Sequence, residues 1–176
     1  MRRPRSRRNE IEYVVAELLR RHNITHPPVP VELIARSLGA NLSYHPYEGE
    51  LSGMLFHDSN RTVIGINSLH HPNRQRFTIA HECAHLLLHK NQEVFIDRGS
   101  IRFNRDAKSA EGSDAHEIEA NRLAAELLMP RKFLEKDIAD MTIDIEDEAA
   151  ITELAKKYKV SQQALLWRIN NLFNAS

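Results

Sequence analysis

The chain has 176 residues, about the length of one ordinary domain with a small appended module, and its 41% hydrophobic and 27% charged residues place it among globular proteins. Its 24 Lys and Arg balance 24 Asp and Glu, which argues against both a strongly basic nucleic-acid binder and an acidic solvating chain. The single cysteine, Cys83, excludes an intramolecular disulfide, and no apolar leader or membrane-length run is present, so the expectation is a cytoplasmic protein without membrane contact.

Five arginines, Arg2, Arg3, Arg5, Arg7 and Arg8, fall in the first eight residues, leaving the remainder with 19 basic against 24 acidic side chains. Residues 1–10 are therefore read as a basic, disordered arm, with weak nucleic-acid contact as its functional alternative. An amphipathic helix is expected over residues 9–22, with Ile11, Val14, Val15, Leu18 and Leu19 on one face. Pro27, Pro28 and Pro30 end it, a short helix follows from Val31 to Leu38, and Gly39 stops that one. A strand is expected from Asn41 to Tyr47. Met54–Phe56 and Thr62–Ile66 flank the polar cluster His57-Asp58-Ser59-Asn60-Arg61, a hairpin pattern.

After Pro72 the chain reads as a helix to His89, apolar on nearly every side in its centre and hence buried. Residues 97–114 carry Gly99 and Gly112 and no sustained period, so they read as a mobile surface loop. A helix from about Ser113 to Met129 ends at Pro130, and two more span about 147–158 and 161–173. The expected fold class is α+β: a mostly helical domain over residues 11–135 with a small antiparallel sheet, then a helical extension, 136–176, packed on it.

Within the apolar helix, His81, Glu82 and His85 are costly to bury unless something satisfies them, and a metal ion would. Four-residue spacing stacks the two imidazoles on one face about 6 Å apart along the axis, and Glu82, turned by one residue, can reach an attacking water without being a ligand. Catalytic zinc takes a third protein ligand. His89 lies about 12 Å along the axis from His81, too far for the same ion. On the next helix Glu117, Asn121, Ala124 and Leu128 share the inward stripe, while Glu119, Arg122 and Glu126 line the polar side. Glu117 is accordingly the expected third ligand, and Asn121, one turn on, the residue that hydrogen-bonds a ligating histidine. Cys83 points to another side of the helix and reads as core. Tyr44, Tyr47, His70, His71 and His116 are all open as oxyanion donors.

The runs Arg76-Phe77-Thr78-Ile79-Ala80-His81-Glu82-Cys83-Ala84-His85-Leu86-Leu87-Leu88-His89 and Glu117-Ile118-Glu119-Ala120-Asn121-Arg122-Leu123-Ala124-Ala125-Glu126-Leu127-Leu128-Met129-Pro130 resemble the ImmA/IrrE metallopeptidases. The resemblance extends upstream through Leu51-Ser52-Gly53 and Ile66-Asn67 and covers roughly residues 30–135. Cys83 departs mildly from it, standing where a larger apolar residue is commoner, as does Leu123, where phenylalanine is common. It implies a zincin-like fold and a zinc-dependent endopeptidase of gluzincin type, with His81, His85 and Glu117 as zinc ligands and Glu82 as general base. It further implies a protein substrate, a helix-turn-helix repressor, in stress response or in regulation of mobile elements or toxin-antitoxin pairs. By the same likeness the strand from Thr62 to Ile66 is expected to accept an extended substrate at its edge.

Residues 154–169 resemble a helix-turn-helix, with Ser161 capping the second helix and Gln162, Gln163 and Arg168 as candidate base readers. The alternative function is thus a DNA-binding regulator, or a metal sensor without proteolysis. With Arg168 as the only cation on that helix, the pair is read as packing onto the domain. Oligomeric state is not legible.

Overall fold

The computed structural model describes residues 7–49, 51–89, 94–97, 111–141 and 147–173. The elements in chain order are α1 (Arg7–Arg21), α2 (Val31–Ser37), β1 (Ala40–His45), β2 (Gly53–His57), β3 (Thr62–Asn67), α3 (Pro72–Leu88), β4 (Val94–Asp97), α4 (Glu111–Leu128), α5 (Arg131–Met141), α6 (Glu148–Tyr158) and α7 (Gln162–Phe173). This is the mostly helical α+β arrangement that the sequence implies, except that the small sheet is mixed rather than antiparallel, β1 running parallel to β3. Of the expected basic arm, residues 1–6 lie outside the described residues, and α1 already begins at Arg7. Of the expected loop, residues 98–110 lie outside them, and α4 begins at Glu111, two residues earlier than the periodicity suggests.

The chain forms two compact units, residues 30–124 and residues 1–29 with 125–176. In the first, the four strands run in the order β1-β3-β2-β4. The hairpin forms as expected: β2 and β3 are antiparallel, with Leu55 opposite Ile64, and Asp58 Oδ1 closes the turn by accepting from the backbone N–H groups of Asn60 and Arg61 at 2.7 and 2.9 Å. Those two donors hold the Asp58 carboxyl below its ordinary range. β1 joins β3 in parallel and β4 joins β2 antiparallel, Gly53 facing Asp97.

That order corrects one expectation. β3 is flanked by β1 and β2, so both of its backbone edges are taken and no substrate can add to Thr62–Ile66; the margins of the sheet are β1 and β4. β4, only four residues long, is too short for an alternating pattern to be read.

α3 lies against β2, β3 and β4, and α2 lies against α3 and β1. The layer between them is Ile34, Leu55, Ile64, Ile66, Ile79, Ala80, Cys83 and Ala84, all buried, and each large aliphatic side chain there contributes about 1.5–3 kcal/mol. α3 starts sharply because Pro72 occupies its first turn and His71 Nδ1 accepts from the N–H of Asn73 at 3.2 Å. Asn67, at the end of β3 and buried, ties the neighbouring loops: its amide donates to the carbonyls of Tyr47 and Leu51, both at 2.8 Å, and its Oδ1 accepts from Leu69 N at 3.0 Å.

In the second unit α1 buries Ile11, Val15, Leu18 and Leu19 on the expected face. α6 and α7 form a helix-turn-helix in which Lys159 takes the left-handed conformation (φ 53°) and Ser161 Oγ caps α7 by accepting from Ala164 N at 3.1 Å. Tyr158 donates to Asp137 of α5 at 2.8 Å, inside the core. Glu126 is not on a polar face: it is buried, accepts from the backbone N–H of Arg131 at the start of α5 and pairs with Arg168 of α7, whose Nε also donates to the carbonyl of Met129. One buried carboxylate thereby joins α4, α5 and α7.

Removing one partner of a buried ion pair strands the other charge, at about 3–5 kcal/mol. Arg168→Ala is therefore expected to lower unfolding stability in urea by about 3 kcal/mol, whereas Gln163→Ala, at an exposed position of the same helix, stays within about 0.5 kcal/mol. Equal, small effects would contradict the role given to the pair.

Candidate metal centre

The central turns of α3 are buried without exception from Thr78 to His85. Apolar Ile79, Ala80, Cys83 and Ala84 account for the packing, but His81, Glu82 and His85 are polar and almost wholly removed from solvent, Glu82 at 0% exposure. Such groups stay buried only where other polar groups meet them. α4 supplies them for the two histidines.

Asn121 Oδ1 lies 3.0 Å from His81 Nδ1. The amide oxygen only accepts, so the imidazole donates from Nδ1 and its Nε2 carries a lone pair. That Nε2 is 3.0 Å from His85 Nε2 and 3.2 Å from Glu117 Oε2, and His85 Nε2 is 3.3 Å from Glu117 Oε1. Four donors held tetrahedrally at zinc–nitrogen and zinc–oxygen lengths of ~2.0–2.1 Å are about 3.3–3.4 Å apart. Two nitrogens and a carboxylate at 3.0–3.3 Å fit such an ion closely, and among the described residues this is the group of His, Cys, Asp and Glu able to hold one. Burial pushes the Glu117 carboxyl up, but the two imidazoles more than reverse that and hold it well below the carboxylate range. About half of its side chain is open to solvent.

The neighbouring candidates are engaged elsewhere. His89 caps the C-terminal end of α3; its Nε2 meets the carbonyl oxygen of His116 at 3.3 Å, its ring stacks on that of His116 at 4.1 Å, and Glu119 Oε2 is 3.9 Å away. Glu119 is thus turned toward His89 rather than solvated. Cys83 is fully buried, and burial with the nearby Glu82 pushes its thiol up to about 12, as expected of a cysteine packed in the core. Of the five oxyanion candidates, His71 is committed as a helix cap, Tyr44 lies on β1 beside Glu32 and Arg36 of α2, the Tyr47 hydroxyl lies over Gly65, His70 neighbours Asn67, and His116 is stacked on His89.

Gln162, Gln163 and Arg168 belong to the other unit. Gln162 donates to Thr152 Oγ1 at 2.7 Å and Gln163 is exposed, while Arg168 is buried with its guanidinium on Glu126 and Met129. A base-reading role for Arg168 would require breaking that pair. Gly53 and Thr78, by contrast, adjoin Glu82, and the sequence carries no sign of what they do there beyond the resemblance through Leu51-Ser52-Gly53.

Comparison with known proteins places residues 35–170 within the Peptidase M78 family, described as the IrrE N-terminal-like domain. The chain is 34% identical over 139 residues to the radiation response metalloprotease IrrE of Deinococcus radiodurans, covering 78% of this chain and 38% of that protein. It is 31% identical over 131 residues to the protein of the same name from Deinococcus deserti, covering 74% of this chain and 43% of the relative. The chain thus spans less than half the length of these relatives. A Mycobacterium tuberculosis transcriptional regulator of known structure superimposes with a TM-score of 0.59 over 93% of this chain and 48% of its own, at 14% identity, a likeness of fold.

Losing the hydrogen bond that orients a metal-binding histidine costs about 10- to 100-fold in affinity. Asn121→Ala is expected to weaken zinc binding in that range by competition titration, and Glu117→Ala more severely, while Glu119→Ala leaves it within about twofold. Loss of zinc in Glu119→Ala with retention in Glu117→Ala would reverse the two helix faces.

Proposed function

This chain belongs to the IrrE N-terminal-like peptidase family, and we propose that it is a zinc-dependent endopeptidase in which His81, His85 and Glu117 hold the ion and Glu82 is the general base. The observation that carries the reading is the convergence of three donors at 3.0–3.3 Å beside a fully buried carboxylate. A site serving only structure would be closed by a fourth protein ligand, and the described residues offer three.

When bound, the ion supplies Lewis acidity, activating water and polarising the scissile carbonyl. Glu82 takes a proton from the attacking water as its oxygen bonds to the carbonyl carbon, then returns that proton to the leaving nitrogen as the carbon–nitrogen bond breaks. Asn121 keeps the His81 ring oriented throughout. The substrate is a protein whose backbone lies extended along β4, the margin of the sheet on the β2 side. Resemblance and chemistry together favour a helix-turn-helix repressor, cut in a segment that can open, with the protein acting in stress response or in control of mobile elements. DNA contact is secondary: α7 has committed Arg168 to Glu126, and any affinity conferred by the basic arm should fall steeply with salt.

Glu82→Gln keeps the shape of the side chain and removes the base, so it is expected to retain one zinc per chain by mass spectrometry while kcat falls at least 100-fold. Near-wild-type turnover would end the peptidase mechanism. Co-expression of the wild-type and Glu82→Gln proteins with a genomically neighbouring repressor, followed by fragment mapping, is expected to give cleavage in the first alone. An intact repressor alongside ready cleavage of short peptides would point to a general peptidase.

A further inference from the structure

The carboxylate of Glu82 adjoins a close approach between α3 and the start of β2. Gly53, the first residue of β2, is buried and has no room for a side chain: a Cβ there would lie 2.3 Å from Thr78 Cγ2, 2.7 Å from the carbonyl oxygen of Gly65 and 3.8 Å from Glu82 Oε1. Nonbonded carbons rest at about 3.5–4.0 Å, so the first two distances are overlaps and the third is contact with the carboxylate itself. Conformational freedom does not explain this glycine, because its φ is not in the left-handed region. Thr78 and Glu82 are one turn apart on α3 and present one face, and the bare backbone of Gly53 fits the notch between them.

The strand on either side of Gly53 is fastened. Ser52 Oγ accepts from Arg74 Nε and Nη2 at 3.2 and 2.8 Å, the Ser52 carbonyl accepts from Asn67 N at 2.9 Å, and Gly53 itself is paired with Ile66 on one side and Asp97 on the other. With the strand held from three directions, a methyl group added at residue 53 must displace the Thr78 and Glu82 side chains of α3, the Gly65 carbonyl, or both.

We propose that Gly53 is a positioning residue for Glu82: its missing side chain lets the start of β2 close against the carboxylate and hold it in the orientation from which it moves the proton. The inference rests on Glu82 being the general base. It assigns to the Ser52–Gly53 corner a share in turnover without any part in holding the metal.

The test is Gly53→Ala, alone and with Thr78→Ser, which deletes the methyl carbon that the new Cβ would strike. Gly53→Ala is expected to keep one zinc per chain, to leave KM within about twofold and to lower kcat about tenfold or more, since a misplacement of 1 Å costs up to about 100-fold. Adding Thr78→Ser is expected to return at least about threefold of that loss. Crystal structures of the wild type and variant give a readout independent of activity: Glu82 should move by more than about 0.5 Å, the tolerance of a catalytic constellation, while the His81, His85 and Glu117 donors stay in place. Should Gly53→Ala not fold, the double variant carries the same comparison. An unmoved Glu82, an unchanged kcat, or a fall in kcat matched by loss of zinc overturns the proposal. If Glu82→Gln turns over like the wild type, the underlying peptidase reading fails instead, and the position of the carboxylate in the crystal still decides what Gly53 does.

Discussion

Everything in the proposed metal centre depends on holding two imidazole nitrogens and a carboxylate within 3.0–3.3 Å of one another inside a protein. Acceptors do not gather this way unaided, since each loses its hydration and faces the lone pairs of the others. The fold answers with rigid supports. α3 is pinned to the sheet by Ile79, Ala80, Cys83 and Ala84, which leaves its histidines one direction to face, and the register of α4 is fixed against α3 by the hydrogen bond from His81 to Asn121. That bond settles the tautomer of His81 as well as the position of α4, one turn beyond Glu117.

The supports explain why so polar a site occurs in so apolar a helix. Placing His81 and His85 four residues apart gives a chelating pair on a single element, but the third donor has to come from another, and the stretch of chain between His85 and Glu117 makes the pairing long-range in sequence. A helix that would carry only one of the proposed ligands must be aligned by something other than the ion. Asn121 does this from within α4, and the apolar stripe through Ala124 and Leu123, both fully buried, does it by packing.

Much of this was legible in the chain. The HExxH spacing within an apolar run marks α3, Pro72 and Ser161 mark where α3 and α7 begin, and Gly39 marks the end of α2. The division of α4 into an inward stripe and a polar side groups Glu117 with Asn121 but misplaces Glu119, which turns to His89, and Glu126, which is buried. What escaped has physical reasons. β4 is too short for periodicity, and β1 gives no sign in its sequence that it pairs in parallel with β3, which is why β3 could be mistaken for a margin. α5 was hidden behind Pro130, read only as the end of α4 although the same residue begins the next helix. Glu126 and Arg168, 42 positions apart, each look like surface charges on an amphipathic helix; only the tertiary structure shows them burying each other. Gly53 is silent because the significance of an absent side chain lies in what surrounds it.

The central claim is that His81, His85 and Glu117 share one zinc ion. Anomalous diffraction from crystals of the zinc-loaded protein, recorded above and below the zinc edge, tests it directly. The account predicts a single strong peak per chain at about 2.0–2.2 Å from Nε2 of His81, Nε2 of His85 and an oxygen of Glu117, with Glu82 adjacent and not coordinating. A peak seated instead between His89, His116 and Glu119, or one in which Glu82 is itself a ligand, would contradict it.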